Sequence, residues 1–151
     1  MVFSTKRRKP FLATKDIRER MFLHIAENAK KKDIWLDCVG GYSDHAHCLI
    51  SLGKKQSISQ VGQLIKGESS FWFNKQNLIR AHFQWQDDYW AVSVSESHVD
   101  AVRKYIRNQE DHHKKITFSE EIDLFMKKYG WIIIKGQLNT KVNVAKAIEF
   151  Y

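Results

Sequence analysis

Proline occurs once and glycine seven times in 151 residues, too little of either for a collagen-like or low-complexity chain. No run approaches the ~18 apolar residues that a membrane helix needs, so no membrane partner is expected. The opening Met1-Val2-Phe3-Ser4-Thr5-Lys6 lacks the pattern of a secretory signal, and a soluble intracellular protein is the expectation. Only two cysteines are present, Cys38 and Cys48, with no Cys-x-x-Cys pair, which argues against a zinc ribbon or finger. Both sit in apolar runs and read as buried free thiols of a reducing compartment. Acidic residues are also short, 17 against 25 Lys and Arg, leaving a net charge of +8. A surface of that sign attracts polyanions.

The chain is 43% hydrophobic and 13% aromatic, enough for one compact core. Val2–Thr5 reads as a short strand, followed by the basic turn Lys6-Arg7-Arg8-Lys9. A helix is predicted from Lys15 to Lys31, with Ile17, Met21, Phe22, Ile25 and Ala29 as its buried stripe. Ile34–Val39 reads as a strand that Gly40-Gly41 break or bend. Asp44–Leu52 is an alternating strand, with His45, His47, Leu49 and Ser51 on one face and Ala46, Cys48, Ile50 and Leu52 on the other.

Ser57-Ile58-Ser59-Gln60 is a capping-box pattern opening a second helix, with Ile58, Val61, Leu64, Ile65 and Phe71 as apolar positions. Trp90–Val94 reads as a further strand. A third helix, capped by Ser95 or Ser97, is predicted from about His98 to Lys115. Thr117-Phe118-Ser119-Glu120 is another capping box, opening a helix that stops at Tyr129-Gly130. The order implies an α+β, ferredoxin-like (RRM-like) antiparallel sheet with helices packed on one face and the tyrosine-bearing helix near the sheet. The domain is expected over residues 1–130, with 131–151 as a C-terminal tail.

His45-Ala46-His47 carries the first chemical signal. Strand residues two apart point the same way, ~6.5–7 Å apart, so both imidazoles can converge on one divalent ion. The alternative is two surface histidines on an edge strand. The second signal is Tyr105 with Gln109, one helical turn apart, with His112 and His113 continuing along that side. The alternative there is a border tyrosine packing on the sheet. Together the motifs are more specific. A metal held by His45, His47 and the amide oxygen of Gln109 keeps positions open for phosphate oxygens. Tyr105, with a reference pKa of ~10, would gain nucleophilicity from a cation that favours its phenolate.

Tyr42–Ile50, with its His-hydrophobic-His core, and Val102–His113, with Tyr105 and Gln109, resemble the HUH single-tyrosine transposases of insertion sequences. Val2–Arg8 and Lys66–Trp72 match the family's pattern as well, so the resemblance covers about residues 2 to 130. Relatives of this kind usually carry more residues before the Val2–Thr5 segment, and end differently after Trp131.

The resemblance implies a prokaryotic, cytoplasmic and nucleoid-associated transposase that cleaves and rejoins single-stranded DNA. Mg²⁺ or Mn²⁺ would be held by His45, His47 and Gln109. Tyr105 would form a 5′-phosphotyrosine link, and hairpins at the element's ends would be the substrate. It also implies a homodimer whose subunits share active sites. The competing reading is a non-catalytic or decayed relative that only holds hairpin DNA. Lys6, Arg7, Arg8, Lys9, Lys54, Lys55, Lys66, Arg103 and Lys104 are candidate DNA contacts, with solvated surface charge as the alternative. Trp72, Trp85 and Trp90 are candidates for base stacking, with core or interface packing as the alternative.

Overall fold

A computed structural model describes residues 1–117 together with 120, 121, 123 and 124. The helix end at Tyr129-Gly130 and the tail over 131–151 lie outside the described residues. Strand β1 (Val2–Ser4) leads through a 3-10 turn at Lys6–Arg8 to helix α1 (Lys15–Lys31). Strands β2 (Trp35–Tyr42) and β3 (His45–Ser51) follow, then helix α2 (Ile58–Gln76). A second 3-10 turn, Glu96–His98, precedes helices α3 (Val99–Arg107) and α4 (Gln109–His113).

The sheet is antiparallel with order β1-β3-β2, so the histidine strand is central. Ser4 pairs with His45 and Val2 with His47 on one side, and Tyr42 and Gly40 pair with the same residues on the other. Of the break or bend expected at Gly40-Gly41, no break occurs, since β2 runs through to Tyr42, and glycine at position 40 leaves room for a neighbour. A methyl group at Gly40 would stand 2.5 Å from the carbonyl oxygen of Ile106 in α3.

Helices cover both faces, not one. On the Ala46/Cys48 face, α1 and α2 supply Met21, Ile25, Ala29, Val61 and Ile65 to a core that includes Phe3, Phe83 and Trp85. Burying each large side chain there contributes about 1.5–3 kcal/mol. On the histidine face lies α3, whose Ile106 is buried above Gly40. Alternation along β3 therefore separates an apolar layer from a polar one.

α1 matches its predicted span, with the Thr14 hydroxyl accepting the Ile17 amide at its start. α2 has the predicted capping box between Ser57 and Gln60. Its buried face is Val61, Ile65, Ser69 and Phe73, while Leu64 and Phe71 are exposed, Phe71 by 69%. Ser69 fits the inner position because its hydroxyl donates to the Ile65 carbonyl at 2.6 Å and accepts the Trp85 indole N–H at 2.9 Å.

Two expectations fail for tertiary reasons. Trp90–Val94 forms no strand. Instead the 84–90 segment runs beside β1, with Trp90 bridging Val2 and Trp85 bridging Thr5. Backbone bonds join Val2 to Trp90 at 2.7 and 2.8 Å, and Ser4 and Lys6 to Gln86 and Gln84 at 2.7 and 2.8 Å. Three-residue β1 is too short to template a longer ladder. The helix predicted over 98–115 is split at Asn108 (φ −96°, ψ 17°). Neither Ser95 nor Ser97 caps it, since both hydroxyls lie against the His98 ring instead.

Candidate active site

β3 places His45 and His47 side by side under the split helix, both buried, their ring centroids 5.1 Å apart. α3 brings Tyr105 edge-on to His47, ring centroids 5.4 Å apart and planes at 90°. α4 opens with Gln109, which is 1% exposed. Its amide Nε2 donates to the Tyr105 carbonyl at 3.3 Å, which turns Oε1 toward the imidazoles. Tyr105 and Gln109 thus meet the histidine pair within one chain.

The hydrogen bonds around Gln109 Oε1 carry chemical information. Nδ1 of His45 lies 2.8 Å from the Asp44 carboxylate, and Nδ1 of His113 lies 2.8 Å from the Ile116 carbonyl. Both acceptors call for the ring proton on Nδ1, which leaves Nε2 of a neutral ring as a lone pair. Burial first, then the neighbouring His45, pushes His113 down to about 4, so that ring is neutral near pH 7. Yet Nε2 of His45 and of His113 stand 3.1 and 3.0 Å from the same Gln109 oxygen. A cation seated among these three atoms would take a lone pair from each. Donors bound to one ion at ~2.1 Å in octahedral geometry sit about 3.0 Å from their neighbours.

His47 Nε2 adds a further donor. It is buried with no hydrogen-bond partner among the described residues. Burial, then the His45 ring, holds this imidazole well below its ordinary value, which keeps it neutral and able to bind a metal. The residues present therefore fit a divalent cation. Their nitrogen content suits Mn²⁺ or Zn²⁺ better than Mg²⁺.

Glu121 was not legible as part of this site. Its carboxylate lies within 4.8 Å of the donor atoms of His45 and His47, and of those of His112 and His113. Burial pushes it up to about 7. The sequence places it one residue beyond a capping box, and only the tertiary fold returns it to the strand histidines.

Beyond His47 and Tyr105 the site opens into a groove of about 1290 Å³ along β3, reaching Leu49, Ser51 and Trp35. A bulge in β2 at Asp37 turns its carboxylate toward α3, where Arg103 binds it.

The family model of IS200-like transposases matches residues 1–109, a span that contains the histidine strand, Tyr105 and Gln109. The chain belongs to the IS200-like transposase family. Its members are DNA-cleaving enzymes, and DNA is accordingly its partner. No curated protein sequence matches the chain. A solved structure, a candidate transposase from Deinococcus radiodurans R1, is similar in fold at 19% identity and a TM-score of 0.56. The match covers 72% of this chain and 86% of that one. No helix among the described residues is long and apolar enough to cross a membrane.

In this member of the family the expected DNA-contacting cations divide. Lys6 is ion-paired to Asp87 at 2.7 Å, and Lys66 donates to the backbone carbonyls of Asp87 and Asp88. Arg103 is held by Asp37 and Asp100. These three are committed within the fold. Arg7, Arg8, Lys9, Lys54, Lys55 and Lys104 are exposed. Of the tryptophans, Trp85 is core, Trp72 is half-buried and stacked on His24 at 4.2 Å, and Trp90 bridges β1.

Proposed function

We propose that this transposase cleaves and rejoins single-stranded DNA with Tyr105 as nucleophile, acting on hairpin-bearing ends of a mobile element. The observation that carries the reading is the meeting of Tyr105 with the orphaned His47 imidazole at the mouth of an open groove. In the chemical step the Tyr105 hydroxyl oxygen attacks phosphorus and the bond to the 3′ oxygen breaks. The phenol proton ends on that oxygen, giving a 5′-phosphotyrosine and a free 3′-OH. Reversal with a different 3′-OH reseals a strand, and no nucleotide hydrolysis is needed, because the phosphoryl link is conserved in the intermediate.

His45, His47 and the Gln109 oxygen would hold Mg²⁺ or Mn²⁺. When bound, the cation would polarise the scissile phosphate and favour phenolate. The chain's own residues do the positioning. Asp44 orients His45, the kink at Asn108 turns Gln109 toward the rings, and Arg103 fixes α3 on β2. Pairing of two copies, which the family resemblance implies, is part of this reading. Its support here is that β2 is an edge strand carrying Trp35, which is 72% exposed.

The test is incubation with labelled single strands bearing hairpins and Mn²⁺, followed by a denaturing gel. Wild type is expected to give a covalent adduct and Tyr105→Phe none. An adduct that persists in Tyr105→Phe removes the nucleophile. Hairpin binding without scission under any divalent metal replaces the reading with a DNA-holding role.

A further inference from the structure

The helix that carries Gln109 is only five residues long, Gln109–His113. A helix that short has no stability of its own in water, so its place is set by what it touches. One side chain of α1 touches it from across the fold.

Arg18 lies on the inner stripe of α1 with Met21, Ile25 and Ala29, where an apolar residue is the usual occupant, and is 8% exposed. Its buried guanidinium is fully engaged. Nη1 donates to the carbonyls of Leu12 and Ala13, both at 2.9 Å. Nη2 and Nε donate to one carboxylate oxygen of Glu110, at 2.9 and 3.3 Å. Its central carbon lies 4.9 Å from the centroid of the Tyr42 ring. That same ring stacks on His113, centroids 5.2 Å apart and planes at 22°.

These contacts join both ends of α4 to the histidine strand. Glu110 adjoins Gln109, and Nε2 of His113 stands 3.0 Å from the Gln109 oxygen. On the other side, the Leu12 amide donates to the Ser43 carbonyl at 2.9 Å, one residue before Asp44, whose carboxylate holds His45. Arg18 thus sits between the turn that opens β3 and the helix that must meet it. Only a planar fork can serve two carbonyls and a carboxylate in different directions at once, and the compact ammonium of lysine cannot.

We propose that Arg18 is a positioning residue for the centre, setting where the Gln109 oxygen stands relative to His45 and His47. This role rests on the reading of Gln109 as a cation ligand and adds what holds that ligand in place.

The test reads metal affinity without DNA. Full-length protein, stripped with chelator, is titrated with Mn²⁺, and the free ion is followed by electron paramagnetic resonance. Arg18→Lys is expected to weaken Mn²⁺ binding about tenfold, as loss of an outer support of a metal site does. Glu110→Gln, at a side chain 42% exposed, is expected to weaken it in the same direction by less. The double variant is expected to bind no more weakly than Arg18→Lys, because the two residues share one contact. Thermal melts in chelator establish that each variant is folded at the titration temperature. Lower melting temperatures with wild-type Mn²⁺ affinity would overturn the role and leave Arg18 as scaffold alone. Should Arg18→Lys fail to fold, an unchanged affinity in Glu110→Gln overturns it equally, and so would a wild type that binds no Mn²⁺. Weakened binding in these variants of a protein that never forms a DNA adduct would defeat the proposed function and leave this role standing. Unweakened binding in a protein that forms the adduct would do the reverse.

Discussion

Arg103 grips Asp37 with two nitrogens, Nε to Oδ1 at 2.8 Å and Nη2 to Oδ2 at 2.5 Å. A third nitrogen holds Asp100 in its own helix at 2.7 Å. The pair ties the tyrosine helix to the bulge in β2, two residues before Tyr105. A side chain that reads from sequence as a DNA contact is therefore part of the frame that positions Tyr105. Arg103→Lys, which keeps the charge and loses the planar fork, is expected to lower adduct yield more than it lowers hairpin affinity. Equal losses of both would return Arg103 to the DNA surface.

The same pair sets an acid limit. The hydrogen bond from Arg103 holds the Asp37 carboxyl below its ordinary value of 3.8. A depressed folded value stabilises the fold fully above the unfolded one and loses that contribution as pH falls through the folded one. Thermal melts of wild type and Asp37→Asn from neutral pH downward should differ by a constant amount until about pH 5, then converge below pH 3.8. A gap that stays constant into strong acid would show that the carboxylate's charge contributes nothing.

Gly40 is expected to tolerate no side chain, since a methyl group there meets first the backbone oxygen of Ile106, which cannot rotate away. Gly40→Ala should cost about 1–3 kcal/mol of stability, the usual range for overpacking. It should also lift Tyr105 from His47, so adduct formation falls even where the protein remains folded. Unchanged activity in Gly40→Ala would mean that the helix floats freely above the strand.

Among the cations, the exposed group and the committed group should separate by salt dependence. Each phosphate contact removed from a single-stranded complex lowers the slope of log K against log salt by about 0.7. Alanine at Lys54, Lys55 or Lys104 is expected to act in this way with little change in melting temperature. Alanine at Lys6 or Lys66 is expected to lower the melting temperature with little change in slope. A fluorescence titration across salt concentrations, run beside thermal melts, reads both.

Local signals carried far in this chain. α1 was legible to its ends because its stripe and flanks agree, and the histidine strand because strict alternation leaves one face apolar. Both capping boxes form as read. What failed depends on distant partners. In α2, Phe71-Trp72-Phe73 offers two hydrophobic registers, and the choice of Phe73 over Phe71 is made by Phe83 across the core, whose ring packs on Phe73 at 4.4 Å. The break at Asn108 has no glycine or proline to announce it. Glu121 joins the site through chain return alone, and no periodicity encodes that. The histidine pair, Tyr105 and Gln109 were legible because each pair is local in sequence, and the fold had only to bring the two pairs together.

The break at Asn108 leaves the two halves of the site on separate moorings. The half with Tyr105 is fastened to β2 by Arg103 and by the close packing at Gly40. The half with Gln109 is fastened near α1, where Arg18 binds Glu110 at 2.9 Å and the carbonyls of Leu12 and Ala13. Tension on a DNA strand joined to Tyr105 would load the first mooring and pass little to the second. Under the proposed chemistry, the cage of imidazoles and amide would stay assembled while a strand tethered to Tyr105 swings toward its next partner.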